Sequence, residues 1–189
     1  MSMLPKVFDS ISRFQQEDEL PSLDSLDAYI KYIIPKVRPW SEDLYEEDFF
    51  LETKWLEFRS QDNFQDVVIH LFRDGREYMR VTNGDIKRGS WEVLEGTNNM
   101  ILDSRDGTEL YNLVFLNSNF FILQKHGGKR RPDKPMYFVM GNERTVGNLT
   151  WREYAEALDQ VFEKNNSAVW IIGGVIIFLV AIFILLSRY

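Results

Sequence analysis

The chain contains no cysteine. That removes disulfide staples, thiolate metal ligands and a cysteine nucleophile together, and it fits a reducing compartment. Histidine is almost as scarce, with only His70 and His126 in 189 residues. No G-x-S-x-G elbow, P-loop, H-E-x-x-H pair or glycine-rich dinucleotide turn occurs, so the enzyme classes that announce themselves by such motifs have no support. Asp103 to Glu109 has a superficial likeness to a calcium loop, but Arg105 stands where an oxygen ligand belongs and the twelve-residue spacing fails. We therefore expect no catalytic residues, no metal and no cofactor. His70, in the middle of the run Val67 to Phe72, reads as a hydrogen-bonded structural histidine, and His126 sits at a loop mouth without a partner nearby in sequence.

Charge is missing altogether from Ala168 to Leu186, where the indole of Trp170 is the sole polar group in nineteen residues. At about 1.5 Å of rise per residue this stretch covers about 28 Å, close to the hydrocarbon thickness of a bilayer, and only a helix satisfies its own backbone there. A transmembrane anchor is expected over 167–189, with Trp170 at one interface, Arg188 and Tyr189 at the other, and Gly173, Gly174 and Ala181 as small positions along it. Met1 to Ser10 carries proline, charge and acid where the apolar core of a signal peptide would stand. The expectation is thus a tail anchor: one pass, with the N-terminal domain in the cytoplasm.

Basic residues are outnumbered. Leaving out the span and Arg188, 21 basic side chains face 29 acidic ones, a balance of −8 that argues against a nucleic-acid binder. The acid is concentrated in residues 1–53, which hold twelve acidic and five basic side chains. One segment goes against this trend: Lys125, Lys129, Arg130, Arg131 and Lys134 crowd ten residues with Asp133 as the only acid. Gly127 and Gly128 leave the backbone free to wrap an anion, and the loop is expected to seek lipid headgroups, a phosphorylated ligand or an acidic neighbour.

Periodicity then divides the chain. Leu4, Val7, Phe8, Ile11 and Phe14 fall on one helical stripe, and Leu23, Leu26, Ile30, Ile33 and Ile34 on another, capped by Ser22 and stopped by Pro35. These two amphipathic helices, residues 1–38, are expected to pack on the body. From 39 to 147 the pattern becomes short β-rich runs between turn signals such as Asp74-Gly75, Asn83-Gly84 and Asp106-Gly107, which demand positive φ and antiparallel neighbours. Strands are expected near Phe50–Arg59, Phe64–Phe72, Glu77–Thr82, Asp85–Leu94, Met100–Asp103, Glu109–Leu116, Phe120–Lys125 and Met136–Met140, forming an antiparallel meander that is barrel-like or strongly curled. The fold class is α+β. Eight strands enclose room for side chains or one small ligand, and with fourteen phenylalanines and five tryptophans a filled interior is the expectation over a cavity. Both faces of Glu109–Leu116 are partly apolar, so part of the outer surface should be covered by the opening helices or by another copy.

Residues 148–166 read as a juxtamembrane helix. Thr150 and Glu153 make a capping box, and Trp151, Tyr154, Ala155, Leu158, Val161 and Phe162 keep helical spacing. The helix is expected to run on into the span. Its Trp151 stripe suits packing on the sheet or a dimer seam, while Ser167, Gly174 and Ala181 repeat every seven residues on another face, so a homo-oligomer is a candidate assembly.

Gly89-Ser90-Trp91 resembles the G-x-W element of lipocalins, a family whose membership implies an eight-stranded barrel with a small apolar ligand. There the element belongs to the first strand, whereas three expected strands precede it here, and no ligand is carried over. At the level of architecture, a small barrel joined to transmembrane helix also resembles the membrane effectors of bacterial cyclic-oligonucleotide antiviral systems, in which the helices come first. The functional expectation is a non-enzymatic, membrane-anchored scaffold or accessory subunit that binds a protein partner. The alternative is a barrel that senses a phosphorylated ligand or nucleotide and drives its span to oligomerise and perturb the membrane, as in bacterial defence effectors.

Overall fold

The computed structural model describes residues 24–60, 66–127 and 135–160. Eight strands follow one another as antiparallel neighbours and the last closes on the first, giving a closed barrel. They are β1 (Trp55–Phe58), β2 (Val68–Arg73), β3 (Glu77–Thr82), β4 (Asp85–Val93), β5 (Asn99–Ser104), β6 (Gly107–Leu116), β7 (Phe120–Lys125) and β8 (Tyr137–Asn142). Turn chemistry sets the register. Asn83 and Gly84 both hold positive φ, 50° and 91°, the pair that a two-residue hairpin needs to bring Thr82 opposite Asp85. Gly89 answers to a different constraint: a Cβ there would lie 2.0 Å from the Asp103 carbonyl oxygen, so the close approach of β4 to β5 at this bend admits no side chain.

One end of the barrel is plugged. The expected strand from Phe50 begins only at Trp55, because residues before it leave the ladder and turn inward. Glu47–Phe49 form a single 3₁₀ turn, and Phe50 is inserted among Phe72, Trp91 and Phe121 with ring centroids 5.3 to 5.8 Å away. A short apolar run has the same period whether it pairs or plugs, and here the aromatic contacts decide. Trp55 Nε1 donates to the Phe50 carbonyl at 3.0 Å, the Leu44 amide donates to Asn98 Oδ1 at 3.1 Å, and the Glu42 amide donates to Leu116 O at 2.9 Å, so the plug is tied to the barrel by its backbone.

A second core lies outside the barrel, beneath two helices. Helix α1 (Leu26–Val37) buries Leu26, Tyr29, Ile30, Ile33 and Val37 against Val114, Phe115, Phe120, Ile122 and Val139. Its cap is Ser25, whose side chain accepts from the Ala28 amide, three residues later than the expected Ser22. Nor does Pro35 end it: the helix continues to Val37, whose complete burial offsets the backbone bond that proline removes. A bulge between Leu113 and Phe115 explains the two apolar faces of β6, since it keeps Leu113 and Leu116 inside while Val114 and Phe115 both join the outer core. Arg38 Nη1 covers the bulge, donating to Leu113 O at 3.2 Å.

After the short helix α2 (Glu143–Val146), helix α3 begins at Trp151 and is described to residue 160. The capping box is present, with the Thr150 amide donating to Glu153 Oε2 at 2.7 Å and the Glu153 amide to Thr150 Oγ1 at 3.3 Å. Trp151, Tyr154, Ala155 and Leu158 are buried in the outer core, and the Tyr154 hydroxyl donates to Met140 O at 2.8 Å. The described part of the Trp151 stripe, to Leu158, is therefore packed on the barrel. The expected helix Leu4 to Phe14, the remainder of the juxtamembrane helix and the anchor with Trp170, Gly173, Gly174, Ala181 and Arg188 lie outside the described residues. Among the described residues no helix is long and apolar enough to cross a membrane.

Candidate functional site

Among the described residues the interior is not filled throughout, contrary to the expectation from its aromatic content. Aromatic packing stops about halfway, and the half of the barrel away from the plug holds a cavity of about 830 Å³. The reason lies in the inward-facing positions, which alternate along each strand. Trp55 is followed two residues on by Glu57, Tyr78 by Arg80, Leu123 by Lys125, and Leu113 is preceded by Tyr111 and Glu109. At one end these positions carry rings, and at the other they carry charge, whose cost of full burial opposes an apolar filling there.

Three hydrogen-bonded groups make up the wall. In the first, Glu57 on β1 accepts from Arg59 Nε at 2.6 Å and from His70 Nε2 on β2 at 3.1 Å, while His70 Nδ1 lies 2.7 Å from the Tyr78 hydroxyl on β3. An ionised carboxylate can only accept, so Nε2 carries the proton and the Tyr78 hydroxyl donates to Nδ1. Burial by itself raises the Glu57 pKa, but the hydrogen bonds from His70 and Arg59 outweigh it and hold the carboxyl down at about 2. His70, 2% exposed, has its pKa lowered because burial outweighs the support of Glu57, so the imidazole is neutral. Burial also raises the Tyr78 phenol. The second group joins Glu109 to the Tyr111 hydroxyl and to Lys125, and burial together with that hydrogen bond raises the Tyr111 phenol. The third is looser: Asp106, in the β5–β6 turn, accepts from Arg80 Nη1 at 3.4 Å and from Lys87 Nζ at 3.3 Å.

Helix α1 closes one side of the opening. The Leu26 amide donates to Ser60 Oγ at 2.8 Å, and Asp27 accepts from the Met136 and Tyr137 amides at 2.7 and 3.4 Å. These bonds tie the start of the helix to the strand ends at the mouth. The cavity is thus framed by backbone pairing and by partly buried ion pairs.

Of the expected anion-binding residues, Lys125 is turned into the barrel toward Glu109 instead of standing at a solvated tip, because it shares the inward parity of Phe121 and Leu123. Lys129, Arg130, Arg131 and Lys134 lie outside the described residues. His70 is hydrogen-bonded, as expected, to Glu57 and Tyr78 on the neighbouring strands, but it also lines the cavity. His126 is exposed. Among the described residues no group of histidines and carboxylates is placed to hold a metal ion. Trp91, of the G-x-W element, sits on β4 at the plugged end, its Nε1 donating to Arg73 O at 3.1 Å. Glu57, Tyr78, Arg80 and Tyr111 were not singled out by sequence reading, and Asp106 and Glu109 were read only as part of a turn signal and of a rejected calcium-loop likeness. The signal that marks them is the change from ring to charge at constant parity within each strand. No protein-family model, no curated protein and no solved structure matches the chain.

Proposed function

We propose that this protein is a non-enzymatic, ligand-sensing β-barrel held at a membrane by its C-terminal apolar segment. The observation that carries the reading is the cavity of about 830 Å³ among the described residues of the barrel, within the size range of small-molecule sites, where Tyr78, Tyr111, Tyr137 and Phe138 stand beside the charged side chains Asp27, Glu57, Arg59, Arg80, Asp106, Glu109 and Lys125. The uncharged stretch Ala168 to Leu186 supports the tether. Ligand binding would be passed to the span through α3, which packs on the barrel wall by Tyr154 and precedes the apolar segment in sequence. Native mass spectrometry of the full-length protein, gently extracted from its own membrane, tests the proposal. A bound small molecule that is lost when Ser104→Phe fills the cavity is the expected result. Identical spectra without added mass for both proteins would end it.

A scaffold remains the second reading, favoured by the outer face of the barrel beyond the helix-covered core. Ile69, Val81 and Ile86 lie in one row across β2 to β4, continuing from Leu56, which packs against that core. Val67 and Ile86 are 54% and 52% exposed there. A stoichiometric protein companion that is lost on Ile86→Glu would establish this reading.

A further inference from the structure

The outer face of β2 to β4 carries an apolar patch that joins neither hydrophobic core. Val68, His70 and Phe72 are buried along β2, so the alternating Val67, Ile69 and Leu71 face outward. The ladder sets Val81 and Met79 of β3 beside Ile69 and Leu71, with Ile86 of β4 next to Val81. None of these six side chains packs in either core among the described residues. Charge begins immediately beyond them, with Arg88 beside Met79 and the Arg73–Glu77 pair in the following row. Val67 to Leu71 runs about 14 Å along β2, and three strands span about 10 Å across it. That footprint, on the order of 140 Å², is far below the about 800 Å² per partner that a stable interface between separate proteins buries. An occupant tethered beside the patch needs less, because a short linker holds it at millimolar effective concentration.

The chain supplies such an occupant. The described residues begin at Asp24, and the Leu26 amide donates to Ser60 Oγ at 2.8 Å. Ser60 follows β1, whose register with β2, carried two residues past Leu56 and Ile69, brings Phe58 level with Val67. Residues 1–23 therefore join the fold close to the patch. Leu4, Val7, Phe8, Ile11 and Phe14 form one helical stripe about 15 Å long, which matches the length of the patch. Residues 15–23 separate the stripe from Asp24 and reach at most about 30 Å. Helix α1 already shows how this barrel receives such a stripe, since Leu26, Ile30 and Ile33 are buried on the outer face of β6 to β8. We propose that Leu4 to Phe14 docks on the outer face of β2 to β4 of its own chain, its apolar stripe on Ile69, Leu71, Met79, Val81 and Ile86. A companion protein in the scaffold reading would need the same rows, so the segment acts as a built-in competitor that such a partner must displace. Neither the cavity nor its ligand enters into this contact.

Because the chain has no cysteine, a single introduced thiol reports cover directly. Ile86→Cys is made in the full-length protein in detergent micelles and alkylated with iodoacetamide, with and without the paired change Phe8→Asp and Ile11→Asp. Glu95→Cys, at an exposed position of the β4–β5 turn, is the control. A tethered segment docked nine-tenths of the time slows alkylation about tenfold, so the paired change should raise the rate at Ile86→Cys about tenfold and leave Glu95→Cys unaltered. The protection should also be independent of protein concentration. If the paired change alters the fluorescence of the buried tryptophans, deletion of residues 2–14 is read by the same criterion. An equal rate at Ile86→Cys with and without the segment's apolar stripe overturns the proposal, whether that rate is fast, which leaves the patch bare, or slow, which assigns its cover to the micelle. Protection that disappears on dilution assigns the cover to a second copy and overturns it as well.

Discussion

Replacing Phe50 by alanine tests the claim that residues before β1 plug the barrel instead of extending its sheet. Phe50 is fully buried, and its ring meets Phe72, Trp91 and Phe121 edge-on or tilted at 5.3 to 5.8 Å. Its carbonyl still accepts from Trp55 Nε1 after the substitution, so what is lost is packing and not the backbone bond that fixes the segment. With the neighbouring rings held by their own strands, the space cannot collapse, and a loss of about 3–5 kcal/mol follows for truncating such a phenylalanine. Tyr45→Ala is the control. That residue lies in the same segment but is 53% exposed, and its hydroxyl accepts from the Thr97 amide at 2.9 Å; its removal should cost about 1 kcal/mol. Guanidinium unfolding of the full-length protein in micelles, followed by tryptophan fluorescence, reports both values, since Trp55 and Trp91 adjoin the plug. A cost below about 1 kcal/mol for Phe50→Ala, or one equal to that of Tyr45→Ala, would refute the plug.

Acid should unfold the barrel for a stated reason. The Glu57 carboxyl moves from 4.5 to about 2 on folding, so it contributes about 3 kcal/mol that is complete above pH 4.5 and is lost as pH falls through about 2. His70, with its pKa lowered by burial, adds a loss in the same direction once pH drops below 6.5, where the unfolded chain takes up the proton first. Denaturation midpoints should therefore fall from pH 7 to pH 3 in wild type, and Glu57→Gln should start lower and change less between pH 5 and pH 3; a variant as steep as wild type would contradict the assignment. Gly89→Ala should force β4 from β5 at the Asp103 carbonyl and cost about 2 kcal/mol or more, measured by thermal unfolding. Deleting residues 161–189 should move the protein from the membrane to the soluble fraction on cell fractionation, and a truncated chain that still pellets with membranes would count against the anchor.

Much of the barrel was legible because hairpin turns and strand parity are local. Asn83-Gly84 marks its own turn, and Glu77–Thr82 and Phe120–Lys125 were bounded correctly from residue pattern alone. The plug was not legible, since Phe50 and Leu51 carry the β-type pattern of the strand that follows and only the three rings waiting at the barrel end draw Phe50 out of line. Pro35 misled for a related reason: its local penalty is real, but Val37 beyond it is worth more buried than the lost bond. The open half was missed because aromatic residues were counted over the whole chain, whereas their positions decide the outcome. Inward parity gathers Phe72, Trp91 and Phe121 at one end and leaves Glu57, Arg80 and Glu109 at the other. Arg80 and Asp106 are 26 residues apart and meet only once the hairpins β3–β4, β4–β5 and β5–β6 have formed their registers.

Because the sheet is a meander, every strand pairing but one joins sequence neighbours. The exception is the seam between β1 and β8, where Trp55 meets Asn142 across 87 residues. Closing a loop of that length costs about 4 kcal/mol of chain entropy, against far less for any hairpin, and β1 brings only Trp55 to Phe58 to the joint. The seam thus carries the largest closing cost of any pairing, a fault line down the wall of an otherwise locally knit cylinder. Glu57 lies on it, opposite Met140. The ion pair of Glu57 with Arg59 and its bond to His70 therefore form only where a short strand is stapled to its neighbours on both sides. Amide exchange should be fastest among the β-strands at Trp55 to Phe58, and a molecule filling the open half would act as a rivet across the crack.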